Sequence, residues 1–188
     1  MKTILTFCMV LILGTFSLIA QDNLQDLQLT NTDTIPDFQT KAEKLKISGT
    51  IYESDGITPA KDVILYIEQA DENGDFELRK KNDEKYVFHH GLIKTDADGK
   101  YTFYTFIPGN DRRYNQLKQI FPTVKVPEQK QQILPSFLFE SDPMLTRKCL
   151  KRMAKKDDLT RILKPKKQDG MLVVQKDIVL QEQIAITK

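Results

Sequence analysis

Cysteine is nearly missing from this chain, which has two among its 188 residues, Cys8 and Cys149. Cys8 lies in an apolar run at the amino terminus, so Cys149 stands alone in the part that folds, and one thiol cannot close an internal disulfide. A disulfide-stapled scaffold is excluded. Cys149 is then either buried and inert, as unpaired cysteines usually are, or free to pair between molecules. Tryptophan is absent, and the only histidines are the adjacent pair His89 and His90. No Ser-His-Asp arrangement can be assembled from these residues, and the 8 glycines form neither a phosphate-cradling loop nor a dinucleotide motif. Hydrolase and kinase chemistry have no support.

Long hydrophobic runs are also lacking, apart from Ile4 to Ile19. Preceded by Lys2 and followed by the small residues around Ser17 and Ala20, that run reads as a secretory signal peptide over residues 1–20, with cleavage expected after Ala20. A membrane anchor is the alternative, but the run is short for a span and polar Gln21-Asp22-Asn23 follows at once. The expected location is secreted or periplasmic, without a transmembrane span in the mature chain. Excess charge is missing too: removal of Lys2 takes the basic residues from 28 to 27 against 26 acidic ones, which implies no nucleic-acid partner. Basic residues do gather between Arg147 and Lys167, without interleaved aromatics, and read as a solvated helix face and loop rather than a nucleic-acid surface.

What remains suits one domain. Residues 21–44 are polar, with Pro36 and few apolar side chains, and are expected to form a flexible leader. Order is expected from Leu45 to the end of the chain, 45–188. The alternation through Leu45, Ile47 and Gly49-Thr50-Ile51-Tyr52, broken at Ser54-Asp55-Gly56, predicts a first hairpin. Val63-Ile64-Leu65-Tyr66-Ile67 reads as a central strand covered on both sides. Leu92 to Thr95 and Lys100 to Phe106, joined by Asp96-Ala97-Asp98-Gly99, predict a second hairpin whose ring-bearing faces are both covered. Gln119 to Val126 is a further strand, Asp142-Pro143 opens the one helix, and 171–174 with 177–180 make a last hairpin-like pair. The architecture is all-β with one short helix.

Two metal readings can be weighed on residues alone. Neighbours on an extended segment point to opposite faces, so His89 and His90 do not converge on one ion, with or without Asp96 or Tyr104. Asp96 and Asp98 lack the spacing and distal glutamate of a calcium loop and read as turn residues. The Asp111-Arg112-Arg113 loop reads as solvated.

A more specific pattern is spread along the chain. Gly49-Thr50-Ile51-Tyr52, Ala70-Asp71-Glu72-Asn73-Gly74-Asp75-Phe76, Gly91 through Phe103, Ile120-Phe121-Pro122-Thr123-Val124-Lys125, Phe137 through Pro143 and Lys176-Asp177-Ile178-Val179-Leu180 follow one another from about Leu45 to Gln183. In that order they resemble the intradiol ring-cleavage dioxygenases, in particular short, exported, single-domain members. The Thr-Asp-x-x-Gly-x-Tyr-x-Phe segment is shared with other transthyretin-like sandwiches; the carboxy-terminal segments carry the specificity. The resemblance implies an antiparallel β-sandwich, transthyretin-like or prealbumin-like, and a non-haem Fe(III) held by two tyrosines and two histidines that inserts dioxygen between the hydroxylated carbons of a catechol. Ionised phenolates suit a hard ferric ion, and imidazoles complete the set while leaving room for substrate.

Carried over residue by residue, those ligand positions fall on Phe76, Asp111, Gln119 and Phe121, with Tyr114 available only through a shifted loop, and an arginine position falls on Gln116. A benzyl ring has no lone pair for a metal. The resemblance therefore implies an exported dioxygenase-like protein without its iron ligands, in which Phe76 and Phe121 fill the former pocket, acting as a binding or structural module with no cofactor. The alternatives are an active non-haem iron dioxygenase of catechol-type compounds, rearranged around Tyr114, His89 or His90, and a generic transthyretin-like module that binds carbohydrate or an envelope protein. Small aromatic compounds complete the range of expected ligands.

Overall fold

Period-two alternation of apolar residues dominates the middle of the chain, and it becomes strand wherever two such segments can bury the same face. The computed structural model describes residues 28–182. The expected signal peptide, with Cys8 and the cleavage point after Ala20, lies outside the described residues. In chain order the strands are β1 (Thr32–Thr34), β2 (Lys44–Tyr52), β3 (Ile64–Gln69), β4 (Leu78–Lys81), β5 (Glu84–Val87), β6 (His90–Lys94) and β7 (Lys100–Phe106). They continue as β8 (Gln119–Lys125), β9 (Gln132–Ile133), β10 (Phe137–Phe139), β11 (Ile162–Leu163), β12 (Lys166–Gln168), β13 (Met171–Gln175) and β14 (Ile178–Val179), with α1 (Arg147–Ala154) between β10 and β11. No helix among the described residues is long and apolar enough to cross a membrane.

Two sheets face each other. One runs β1-β7-β2-β13-β12 with β14 also on β2, the other β11-β10-β8-β3-β6 with β9 on β8, and β4 and β5 form a separate ribbon. The central pairs β2–β7, β3–β6 and β3–β8 are antiparallel, while β1–β7, β13–β2, β14–β2 and β10–β11 are parallel additions. Leu45, Ile47 and Ile51 of β2 and Tyr101 and Phe103 of β7 bury one inner face; Leu65 and Ile67 of β3, Ile93 of β6 and Ile120 and Val124 of β8 bury the other. Polar ties fix the two layers against each other. Gln69 on β3 donates to the Phe106 carbonyl at 3.1 Å and accepts from Thr105 Oγ1 at 2.6 Å, so a buried amide is satisfied by the opposite sheet.

The sandwich agrees with the expected fold class, but several connections differ. β2 and β3 belong to different sheets, so the first hairpin is instead a corner, closed by the Tyr52–Pro59 bridge. β6 and β7 are likewise in different sheets, and the Asp96–Gly99 turn carries the chain from one layer to the other. The final pair is not a hairpin either, because β13 and β14 both run parallel to β2 in succession, with a jog at Lys176-Asp177 between them. At that jog a Cβ on Gly49 would sit 2.1 Å from the Lys176 carbonyl oxygen, so only glycine lets the strands approach. β3 is central in its sheet, but its burial alternates: Leu65, Ile67 and Gln69 point inward while Ile64, Tyr66 and Glu68 keep partial exposure.

The helix starts later than Asp142-Pro143 suggests. Thr146 caps it, its hydroxyl accepting from the Cys149 amide at 3.3 Å, and Asp142 is a loop bracket instead. The flexible reading of 21–44 fails over its second half. β1 pairs with β7, Ile35 is 2% exposed and Phe38 8%, and the Asp33 carboxylate accepts from the Leu92 amide at 2.8 Å. Two well-placed apolar side chains and a few polar anchors suffice to dock a segment of low mean hydropathy.

Candidate functional site

One end of the sandwich gathers the loops that carry the implied ligand positions. The first loop is built on Asp71, whose Oδ1 accepts from the amides of Asn73 at 2.8 Å and Asp75 at 2.9 Å while Gly74 takes φ 91°. Partial burial opposes ionisation of Asp71, but the amides of Asp75, Asn73 and Gly74 outweigh it and hold the carboxyl below its ordinary range. Gly109 donates its amide to the Asp71 carbonyl at 2.7 Å, and a Cβ at Gly109 would lie 2.3 Å from the Glu72 carbonyl. The two loops are therefore in backbone contact. Buried Asp142 brackets the third side, accepting from Asn110 Nδ2 at 2.9 Å and from the amides of Lys118 at 2.6 Å and Met144 at 2.8 Å.

Each implied ligand position can now be placed. Phe76 leaves the Asp71 turn and meets Phe121 of β8, with ring centroids 5.9 Å apart and planes tilted by 54°. Both rings are half-buried. Asp111 is buried and committed to Arg113, accepting its Nη2 at 2.6 Å and its backbone amide at 2.8 Å. The Arg113 hydrogen bond holds the Asp111 carboxyl below the usual range, and Asp111 in turn raises the guanidinium. Gln119 accepts from Ser136 Oγ at 3.0 Å, and Gln116 donates Nε2 to the Gly74 carbonyl at 3.0 Å. Tyr114 is 78% exposed, its ring 5.6 Å from the Arg113 guanidinium. The donors needed for Fe(III) do not fit this arrangement: two positions are hydrocarbon rings in mutual contact, and the polar side chains at the others are engaged in holding loops.

His89 and His90 diverge, as adjacent residues on extended backbone should. His89 turns inward against Phe88 at 5.0 Å and Phe106 at 5.1 Å, and neither of its ring nitrogens makes a hydrogen bond; Asp37 Oδ2 approaches Nε2 only to 3.5 Å. His90 turns outward, with Nδ1 against the Val87 carbonyl at 2.7 Å, a contact in which Nδ1–H donates because a carbonyl can only accept. Strand register adds a row that the sequence reading missed. Across the outer face of the second sheet Phe121 pairs with Glu68, and Glu68 pairs with His90.

Tyr66 stands beside that row, donating to Glu68 Oε2 at 3.0 Å with its ring 5.7 Å from His90. Burial first, and the Glu68 charge second, push the Tyr66 phenol well above its ordinary value, so it stays protonated at neutral pH. The clue was available in the alternation of β3, which sets Tyr66 and Glu68 on the face opposite Leu65 and Ile67. Among the described residues no group of three or more His, Cys, Asp or Glu side chains is placed to hold a metal ion. Asp96 is occupied by its own turn, accepting from the amides of Asp98 at 3.0 Å and Lys100 at 2.8 Å.

No protein-family model matches the chain, and no curated protein matches its sequence. Solved structures do. The dioxygenase domain of a dioxygenase–carbohydrate-binding protein fusion from Streptomyces sp. SirexAA-E superposes with a TM-score of 0.60 at 19% identity, over 78% of this chain and 85% of that one. An intradiol ring-cleavage dioxygenase from Tetranychus urticae gives 0.58 at 15% identity, over 82% and 87%. Catechol 1,2-dioxygenase from Acinetobacter radioresistens gives 0.59 at 14% identity over 83% of this chain and 58% of that enzyme's own length. The chain has the fold of the intradiol ring-cleavage dioxygenases.

Proposed function

We propose that this is an exported protein built on the intradiol dioxygenase fold that does not use iron, and that it acts as a binding or structural module. The Phe76–Phe121 ring contact at 5.9 Å carries the reading, since it joins two of the implied ligand positions in space and fills the gap between them with hydrocarbon. Ring contacts leave no unsatisfied donor or acceptor there, whereas a vacant polar pocket would leave several. Small aromatic compounds and carbohydrates are the first ligands to screen.

The test is metal analysis of the mature protein produced with iron in excess, together with its visible spectrum and oxygen uptake with catechol. The expected result is iron far below one equivalent, no phenolate-to-iron absorption band and no catechol-dependent uptake. One equivalent of iron with such a band sinks the proposal. A positive control uses the same geometry: the Phe76→Tyr, Gln119→His, Phe121→His variant is expected to gain Fe(III) affinity over the parent chain.

A second reading, a rearranged non-haem iron dioxygenase acting on catechol-type compounds, has one observation in its favour. His90 stands across from Glu68 on the neighbouring strand and next to Tyr66, on the face that carries Phe121, with its Nδ1 held by the Val87 carbonyl. It would recruit His90, not His89 or Tyr114, and would have to ionise a phenol whose surroundings oppose ionisation. Loss of bound iron in His90→Ala would favour it over the first reading.

A further inference from the structure

The connection from β10 to β11 contains the clearest unexplained surface. α1 is the helix of a crossover between two parallel strands, a position where an apolar helix face normally packs down onto the sheet. Here no residue of α1 is buried. Leu150 is only half-covered, Ala154 is exposed and Leu159 is 43% exposed. Between the helix and the 159–164 segment lies an open cleft of about 380 Å³, floored by Leu145, Leu150 and Ile162 and walled by Ala154 and Leu159. Its size falls in the range of small-molecule sites.

The rim is charged. Lys151 has no acidic partner among the described residues, and Lys164 holds Glu140 at 2.7 Å across the mouth. α1 itself carries Arg147, Lys148, Lys151 and Arg152 and no acid. We propose that this cleft binds a small amphiphile with an apolar body and a single carboxylate, a medium-chain alkyl carboxylate, its chain on Leu145, Leu150 and Ile162 and its head on Lys151. Charge complementarity selects an anion. Glu140 is already paired with Lys164, which leaves Lys151 as the rim cation for one anionic head. No aromatic ring lines the cleft, so it offers no stacking platform for a base or a planar ring.

The site is separate from the Phe76–Phe121 contact, and the two readings fail independently: iron analysis does not touch this cleft, and ligand binding here does not touch the iron question. The neighbouring cleft beside Lys176 offers less. Its cations are engaged, Lys176 donating to the Thr160 carbonyl at 2.8 Å and Arg161 facing Asp158 at 3.5 Å.

The experiment is a titration of methyl-labelled protein with decanoate, decanol, vesicles of anionic phospholipid and a polyglutamate peptide, followed by nuclear magnetic resonance. Decanoate is expected to shift the methyl signals of Leu145, Leu150, Leu159 and Ile162 saturably, with decanol binding more weakly. Lys151→Gln is expected to weaken decanoate about threefold to fivefold while leaving decanol unchanged. Ala154→Phe, an exposed position whose substitution leaves the core alone, is expected to block both by filling the cleft. Equal affinity for decanoate and decanol, unmoved methyl signals, or a response to vesicles or the acidic peptide without one to decanoate would each overturn the proposal.

Discussion

His89 is an imbalance at the scale of a single residue. It is 2% exposed, packed between Phe88 and Phe106, and both ring nitrogens have lost water without gaining a hydrogen bond. Leaving one buried polar group unsatisfied costs about 1–3 kcal/mol, so the imidazole is a worse occupant of this slot than a benzyl ring of similar shape. His89→Phe is therefore expected to stabilise the protein by about 1–2 kcal/mol, read as a raised urea midpoint with an unchanged slope. A lowered midpoint would show that Asp37, 3.5 Å from Nε2, satisfies the ring after all. The same residue marks what sequence can yield at this scale. Opposite directions for His89 and His90 follow from backbone alternation alone, but the row formed by Phe121, Glu68 and His90 requires knowing which strand pairs with which.

Turns are where element-level reading succeeds chemically and fails topologically. Asp71-Glu72-Asn73-Gly74 and Asp96-Ala97-Asp98-Gly99 are built alike: the aspartate accepts amides two and four residues on, and the glycine takes φ 91° or 66°. That chemistry is local, so it is legible in sequence. It is also the same in a hairpin and in a corner between sheets, which is why β6 and β7 read as paired neighbours when they lie in opposite layers. What decides is non-local: β6 finds β3, and β7 finds β2. Both aspartates are opposed by desolvation yet held below the ordinary carboxylate value by backbone amides, joined for Asp96 by Asn31. A depressed folded pKa contributes stability above the unfolded value of ~3.9 and loses it as pH falls through the lower folded value. The parent protein is thus expected to lose stability below about pH 4, and the Asp71→Asn, Asp96→Asn double variant to be weaker at neutral pH with a shallower acid decline. Denaturant midpoints measured from pH 7 to pH 2 check it; parallel curves would remove these turns from the acid response.

At the scale of the whole molecule the layered β architecture was legible because alternation in 45–52, 100–106 and 119–125 leaves apolar faces that only a second sheet can cover. The extent of the folded unit was not. Residues 28–43 contribute little apolar surface, and average polarity hides the fact that Ile35 and Phe38 occupy the core edge while Asp33 caps β6 and Ile35 donates to the Tyr104 carbonyl at 3.0 Å. Burying those two side chains is worth about 1.5–3 kcal/mol each before the cost of ordering the segment, about 1–2 kcal/mol per residue fixed, is met by its backbone and side-chain bonds. The segment also covers the open edge of β7, where an unpaired strand invites association with another chain. A chain beginning at Lys44 is accordingly expected to be less stable than one beginning at Gln28 by about 2–3 kcal/mol and to self-associate as concentration rises. Paired denaturation curves and sedimentation across a concentration series test both parts. Equal midpoints with a monomeric shorter chain would mean that β1 rests on a sandwich already complete without it.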